Sequence, residues 1–330
     1  MTTALVLIHG RSQQMPRELR RDDARVEAHV AAKRRSWLAG LTKGLVLARQ
    51  APIAEAQMYY PFYGNLFASM IEDHERAGGR APELELADPV LGTEQELILE
   101  AAAELGFRPE RELSYLSPEL ADQAAERDPA LELNIGDTLR IPIVRSALQF
   151  LARKTGVPEW LIEEFMRDVA YYLENQRMRD AVLEIVGDEV ERARAEHDDV
   201  VVLAHSLGSV VAYDFLQDRQ PPGVRLLVTA GSPLGYPIVQ KNLHGAGRGA
   251  KPPVPRIEPR GGPWWVNAYD VRDFVALVHP LHPHFADGRA KIRDEVTHNP
   301  SGAHSIEDYL ADPDVAGPIG ATVDRRLSDG

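Results

Sequence analysis

Cysteine is absent from the 330 residues, which excludes disulfide staples, thiolate nucleophiles and thiolate metal ligands. No apolar run approaches the roughly 20 residues needed to span a bilayer. The start, Met1 to Gly10, lacks the basic segment and long apolar stretch of a secretory leader. Both features point to a cytoplasmic protein without stable membrane insertion. Positive charge is scarce too: 37 Lys and Arg stand against 50 Asp and Glu, a formal net charge of −13. That balance argues against nucleic acid as a principal partner. The charge is also uneven. Residues 81–130 hold 13 acidic and 3 basic side chains, whereas residues 11–50 hold 10 basic and 4 acidic. The pattern fits either two solvated helix faces or two complementary surfaces, meeting within the molecule or across a homodimer.

What is present is a soluble-type composition, 44% hydrophobic and 26% charged, with strand and helix signals in alternation. Apolar, β-branched runs at 3–8, Ile53 to Tyr60, Val200 to Ala204, Val224 to Thr229, Trp264 to Tyr269 and Ile292 to Val296 read as strands. Helical spacing covers 17–40 and 66–77. From about 82 to 157 it is helical throughout, with a capping box at Thr93–Glu96 and a helix start at Ser117–Pro118. Pro158 opens a long helix that runs or breaks before Val200. Strands alternating with helices imply an α/β fold, a mostly parallel sheet of about six strands flanked by helices. Chemistry in such sheets gathers beyond the carboxyl ends of the strands.

The most informative stretch is Val200-Val201-Val202-Leu203-Ala204-His205-Ser206-Leu207-Gly208-Ser209. A β-branched run ends in a small residue, then a serine, then a glycine, and helical spacing follows through Val210, Val211, Ala212, Phe215 and Leu216. That is a strand turning sharply into a helix with Ser206 at the apex. Ala204 and Gly208 supply the small flanks that let strand and helix pass closely; alanine in place of the more usual glycine at the first is a mild departure. A serine hydroxyl needs a base, a carboxylate that orients the base, and amide donors for the developing oxyanion. Candidates follow later strands. Asp270 and Asp273 come after the strand ending at Tyr269, and His304 sits in the small-residue loop Ser301-Gly302-Ala303-His304-Ser305. Catalysis further requires the hydroxyl at 206 to be accessible and within reach of a ring nitrogen.

With Leu7-Ile8-His9-Gly10-Arg11, Ala204 to Gly208, Asn267 to Val275, His304-Ser305 and Gly231-Ser232-Pro233-Leu234, the chain resembles the α/β-hydrolase superfamily. The match is to its lipase/esterase-like members with an Ala-His-Ser-Leu-Gly elbow, and residues 65–160 lie outside it. The resemblance implies a single α/β-hydrolase domain over 1–330 that starts at the superfamily's His-Gly strand, without the two strands before it. It implies a serine hydrolase with an acyl-enzyme intermediate, no cofactor and a small-molecule acyl ester as substrate. Ser206 is then the nucleophile, His304 the base and Asp273 the acid, with Asp270 bracing the loop. The backbone N–H groups of Leu207 and Arg11 form the oxyanion hole.

Other histidines compete. His298 is the second choice for the base, while His9 and His205 suit packing and loop bracing. His279, His282 and His284 suggest a metal cluster, but the interleaved prolines and missing carboxylate pattern favour loop histidines, so no metal is expected. The helical segment 82–157, inserted before the nucleophile strand, reads as a lid, with Leu97, Ile98, Leu148, Phe150 and Leu151 as pocket lining or simply as core. The Gly/Pro-rich loop 243–263 carries Arg248, Lys251, Arg256 and Arg260, suited to an anionic substrate group or to open solvent. Thioester hydrolysis and acyl transfer use the same machinery as ester hydrolysis. A non-catalytic, hydrolase-like binding protein is the alternative from another class.

Overall fold

In a computed structural model, described for residues 2–11, 13–78, 89–109, 137–245, 250–259 and 261–324, six strands form one sheet. They are β1 (Thr3–Ile8), β2 (Met58–Tyr59), β3 (Asp199–His205), β4 (Val224–Ala230), β5 (Trp265–Tyr269) and β6 (Ile292–Val296). The order is β2-β1-β3-β4-β5-β6 and every neighbouring pair is parallel. Parallel strands covered on both faces read as continuous apolar runs, and β1 is buried along its whole length. Register sets Ile8 beside Ala204, His205 beside Ala230 and Ala230 beside Ala268. The carboxyl ends of β1, β3, β4 and β5 therefore share one edge.

The helices in chain order are α1 (Asp23–Leu47), α2 (Gly64–Gly78), α3 (Pro89–Glu104), α4 (Asp137–Thr155), α5 (Glu159–Glu174), α6 (Gln176–Glu196), α7 (Leu207–Arg219), α8 (Pro237–Asn242), α9 (Gly288–Lys291), α10 (Ile306–Ala311) and α11 (Pro313–Val323). They fall into two compact units. One comprises Met1–Asp73, Asn175–Gly235 and Val239–Gly330, and the other His74–Glu174 with Tyr236–Ile238.

In the first unit, side chains alternate across the sheet. Leu5, Leu7, Val201, Leu203, Leu226 and Val228 pack with Trp37 and Leu41 of α1, Ile306 and Leu310 of α10, and Val315 and Ile319 of α11. Each such side chain, taken out of water, contributes about 1.5–3 kcal/mol. Helices α6 and α7 pack against each other and against β1 and β3. The long helical stretch after Pro158 breaks at Asn175, whose side chain accepts the Met178 N–H and caps α6.

The expected strand Ile53 to Tyr60 shrinks to two residues, because Glu55–Gln57 coils into a short 3₁₀ turn. Gln57 accounts for it. Its Oε1 accepts the Ala54 N–H and its Nε2 donates to the Thr3 carbonyl, groups that an edge strand would otherwise have to serve through its ladder. The helix expected at 17–40 starts later, at the Asp22 cap, and runs on to Leu47.

The second unit holds α3, α4 and α5, and the described part of the expected insertion 82–157 lies in it. Residues 82–88 and 110–136, with Ser117–Pro118, are outside the described residues. Leu97, Ile98, Leu148, Phe150 and Leu151 are all buried. The capping box expected at Thr93–Glu96 is not formed: α3 begins at Pro89, and the Thr93 hydroxyl inside it donates to Glu174 at 2.6 Å. Proline at the first helical position already suits the start. The end follows expectation. Gly106, at φ 88°, lets its own N–H and that of Phe107 reach back to Ala103 and Ala102.

Glu94 of α3 is buried, with the partly exposed guanidinium of Arg167 at 3.4 Å. Burial pushes its carboxyl up to about 7, against the pull of Arg167. A folded-state value above the ordinary one means that the folded chain holds the proton longer, so stability is greatest below the ordinary range and falls as pH rises towards 7. Glu94→Gln is expected to raise stability at pH 8 by about 1–2 kcal/mol and leave it nearly unchanged at pH 4. Thermal melts of both proteins at the two pH values check this; an equal change at both would refute it.

Candidate active site

Ser206 stands between β3 and α7 with φ 58° and ψ −134°. A non-glycine residue held there costs about 1–3 kcal/mol and persists only where its surroundings enforce it. The enforcement is visible. The Ser206 N–H donates to the Ala230 carbonyl at 3.0 Å, and its own carbonyl accepts the Ser209 N–H at 2.9 Å and the Ser209 hydroxyl at 2.6 Å. Ser209 in turn lies 2.7 Å from the hydroxyl of Ser232, which accepts the Leu234 N–H. Gly208 packs directly on β1: a Cβ there would meet the Ile8 and His9 carbonyl oxygens at 2.4 and 2.5 Å. Gly10 lies over the serine, and a Cβ on it would fall 2.6 Å from Ser206 Cβ and 3.0 Å from its Oγ.

The carboxylate and imidazole arrive from beyond β5 and β6. His304 lies in the turn before α10, and its Nδ1 is 2.8 Å from Asp273 Oδ2. Asp273 is fully buried, whereas the imidazole keeps 28% of its surface exposed. Asp273 Oδ1 accepts the Val275 N–H at 2.9 Å, and Oδ2 also accepts the Tyr309 hydroxyl at 2.7 Å. Gly231, at φ 56° on the end of β4, faces the pair; a Cβ on it would sit 2.7 Å from Asp273 Oδ2 and 2.9 Å from His304 Nδ1. The stretch Gly231-Ser232-Pro233-Leu234 stands out in the sequence only as part of the family resemblance, and nothing in its spacing places Gly231 against this pair.

Asp270 faces elsewhere. Its carboxylate accepts the Arg272 N–H, Nε and Nη2 and the Asn299 N–H. Burial alone would push this carboxyl up, yet these hydrogen bonds outweigh burial and hold it down at about 2. It ties the loop after β5 to the segment after β6.

His205 and His9 brace the turns. The His205 Nε2–H donates to the His304 carbonyl at 3.1 Å, and the two rings lie 4.4 Å apart. Burial, and then the nearby His304, hold His205 well below the ordinary imidazole value, so the donor is a neutral ring. His9 stacks on Tyr63 at 3.9 Å and on Tyr60 at 5.3 Å. Its Nδ1–H donates to the Gly10 carbonyl and its Nε2 accepts the Tyr63 N–H, a neutral tautomer that burial keeps down at about 3.

His298 is exposed. His279 stacks on Tyr269, and His282 pairs with Asp294 at 3.0 Å. Among the described residues no group of three His, Asp or Glu side chains is placed to hold a metal ion, and no helix is long and apolar enough to cross a membrane. Of the basic loop, Arg256 pairs with Glu258, while Arg248 and Arg260 are outside the described residues.

Leu207 is the first residue of α7, where a backbone N–H has no acceptor within the helix. Arg11 follows Gly10 on the opposing turn. One finding departs from the sequence expectation. The Ser206 side chain has no accessible surface, and its Oγ has no hydrogen-bond partner among the described residues. That burial counts against the accessibility that catalysis at this hydroxyl requires.

No protein family, curated protein or solved structure matches this chain.

Proposed function

We propose that the chain is a serine hydrolase with an α/β-hydrolase fold that cleaves a carboxylic ester of a small molecule, without a cofactor, in the cytoplasm. What supports this reading is the His304–Asp273 pair at 2.8 Å together with a serine in a strained strand-to-helix turn; the Ser206 Oγ itself makes no hydrogen bond to the imidazole. Ser206 Oγ attacks the acyl carbonyl while His304 Nε2 takes its proton. Asp273 holds the ring by Nδ1–H and stabilises the imidazolium that forms. The N–H groups of Leu207 and Arg11 receive the oxyanion. Collapse expels the alcohol, protonated by His304, and leaves an acyl-Ser206 ester that water then hydrolyses. A thiol leaving group or a second alcohol as acceptor uses the same steps, so thioesterase and acyltransferase activities are variants of this proposal.

A second reading, a hydrolase-like binding protein without turnover, is favoured by the burial of the unpartnered Ser206 hydroxyl. A fluorophosphonate probe separates the two, because it reacts only with a serine that its base can activate and the probe can reach. Labelling of the full chain, lost in Ser206→Ala, is the expected result. If the folded wild-type protein stays unlabelled at high probe concentration, the hydrolase proposal fails.

A further inference from the structure

Tyr309 lies on α10, five residues after His304, and is fully buried. Its hydroxyl donates to Asp273 Oδ2 at 2.7 Å, the same oxygen that faces His304 Nδ1 at 2.8 Å. The phenol oxygen in turn accepts the Asp270 N–H at 3.0 Å. That N–H is aimed by the Asp270 carboxylate, which Arg272 and Asn299 hold from both sides. Two donors thus compete for one carboxylate oxygen, and the second is fixed by the N–H of Asp270, three residues before Asp273 in the same turn. Burial, and then the charge of Asp273, raise the phenol well above its ordinary value, so it remains a donor throughout the working pH range.

We propose that Tyr309 is a positioning residue that sets how strongly Asp273 attracts the His304 Nδ1–H and thereby how basic the opposite ring nitrogen is. A hydrogen bond from a neutral donor spreads the carboxylate's charge away from the imidazole. Removing it concentrates that charge on the imidazole and favours the protonated ring. Among the groups that face His304 are Asp273, the neutral ring of His205 and the aromatic face of Phe274. Asp270, held by Arg272, donates its N–H to the Tyr309 oxygen. Tyr309→Phe deletes one hydroxyl and keeps the ring.

This inference rests on the hydrolase reading for its catalytic meaning, but its measurement does not. The His304 ring titration, followed by nitrogen NMR on the full chain with labelled histidine, needs no substrate. In Tyr309→Phe the midpoint is expected to rise by about 0.5–1 on the pH scale, a three- to tenfold change in proton affinity. Incorporating 3-fluorotyrosine at 309 makes the phenol a stronger donor at nearly constant shape, and the midpoint is expected to fall. If Tyr309→Phe does not fold, the fluorotyrosine arm decides alone. A midpoint that stays put, or moves the opposite way in either protein, overturns the proposal. Absent fluorophosphonate labelling with the shifts intact overturns the hydrolase reading and leaves the role of Tyr309 standing.

Discussion

If the chain is the proposed hydrolase, Asp273→Asn is expected to slow ester turnover by about 10⁴-fold with the fold intact, on the precedent of the same change in a serine-protease triad. The reason lies in the two faces of the carboxylate. Oδ1 accepts the Val275 N–H and Oδ2 faces His304 Nδ1 and the Tyr309 hydroxyl. An asparagine amide either presents its NH₂ to the imidazole, which selects the wrong tautomer, or keeps its oxygen there and loses the charge that stabilises the imidazolium. Asp270→Asn gives the opposite profile. Its carboxylate touches Arg272 and Asn299 and not the imidazole, so turnover drops less than about tenfold, the cost of a small displacement near a site. The main loss is in stability, about 1–2 kcal/mol after allowing for screening of the exposed Arg272. Because Asp270 is held near 2 in the folded chain, below the ordinary carboxylate value, its contribution is complete above that ordinary value. It disappears as pH falls through about 2. Single-turnover rates and melts on both variants test the assignment. A dead Asp270→Asn beside an active Asp273→Asn would reverse it.

Gly208→Ala is expected to cost about 3 kcal/mol or more and to lower the melting temperature by roughly 6–12 °C. The added methyl would lie 2.4 Å from the Ile8 oxygen and 2.5 Å from that of His9. Both are backbone atoms of a buried strand end, so neither can swing away as a side chain could. Either α7 retreats from β1 or the turn after Ile8 is pushed off Ser206. Both responses disturb the elbow, and the fraction that still folds should lose phosphonate labelling as well. Calorimetry with labelling of the folded fraction measures the two effects. A variant as stable and as reactive as wild type would show that the strand-to-helix approach is looser than these distances require.

Much of the fold was legible because local patterns carried it. The buried strands at 3–8, Val200 to Ala204, Val224 to Thr229 and Trp264 to Tyr269 are runs that no water-facing segment tolerates, and they lie within a residue or two of where they were expected. The two failures came from side chains acting on nearby backbone. Gln57 diverts the segment before Met58 into a turn, and Pro89 starts α3 four residues ahead of Thr93. The small flanks Ala204 and Gly208 announced the serine turn. The Asp270–Asp273 ambiguity had no local solution, since both follow β5 and only the packing of α10 selects which one meets His304.

The chain of residues alone determined the alternation that makes a parallel α/β sheet, the strained serine between β3 and α7, and the order in which serine, carboxylate and histidine appear. These are consequences of hydrophobic runs and turn chemistry, which act over a few residues. Tertiary structure decided the rest. It pairs Asp273 with His304, turns Asp270 towards Arg272 and Asn299, inserts the Tyr309 hydroxyl between them and buries Ser206 under Gly10. Apart from the Asp270–Arg272 contact, each of these joins segments tens to hundreds of positions apart. Hydrogen-bond geometry of a few tenths of an ångström discriminates between such partners, and sequence spacing carries no information at that scale.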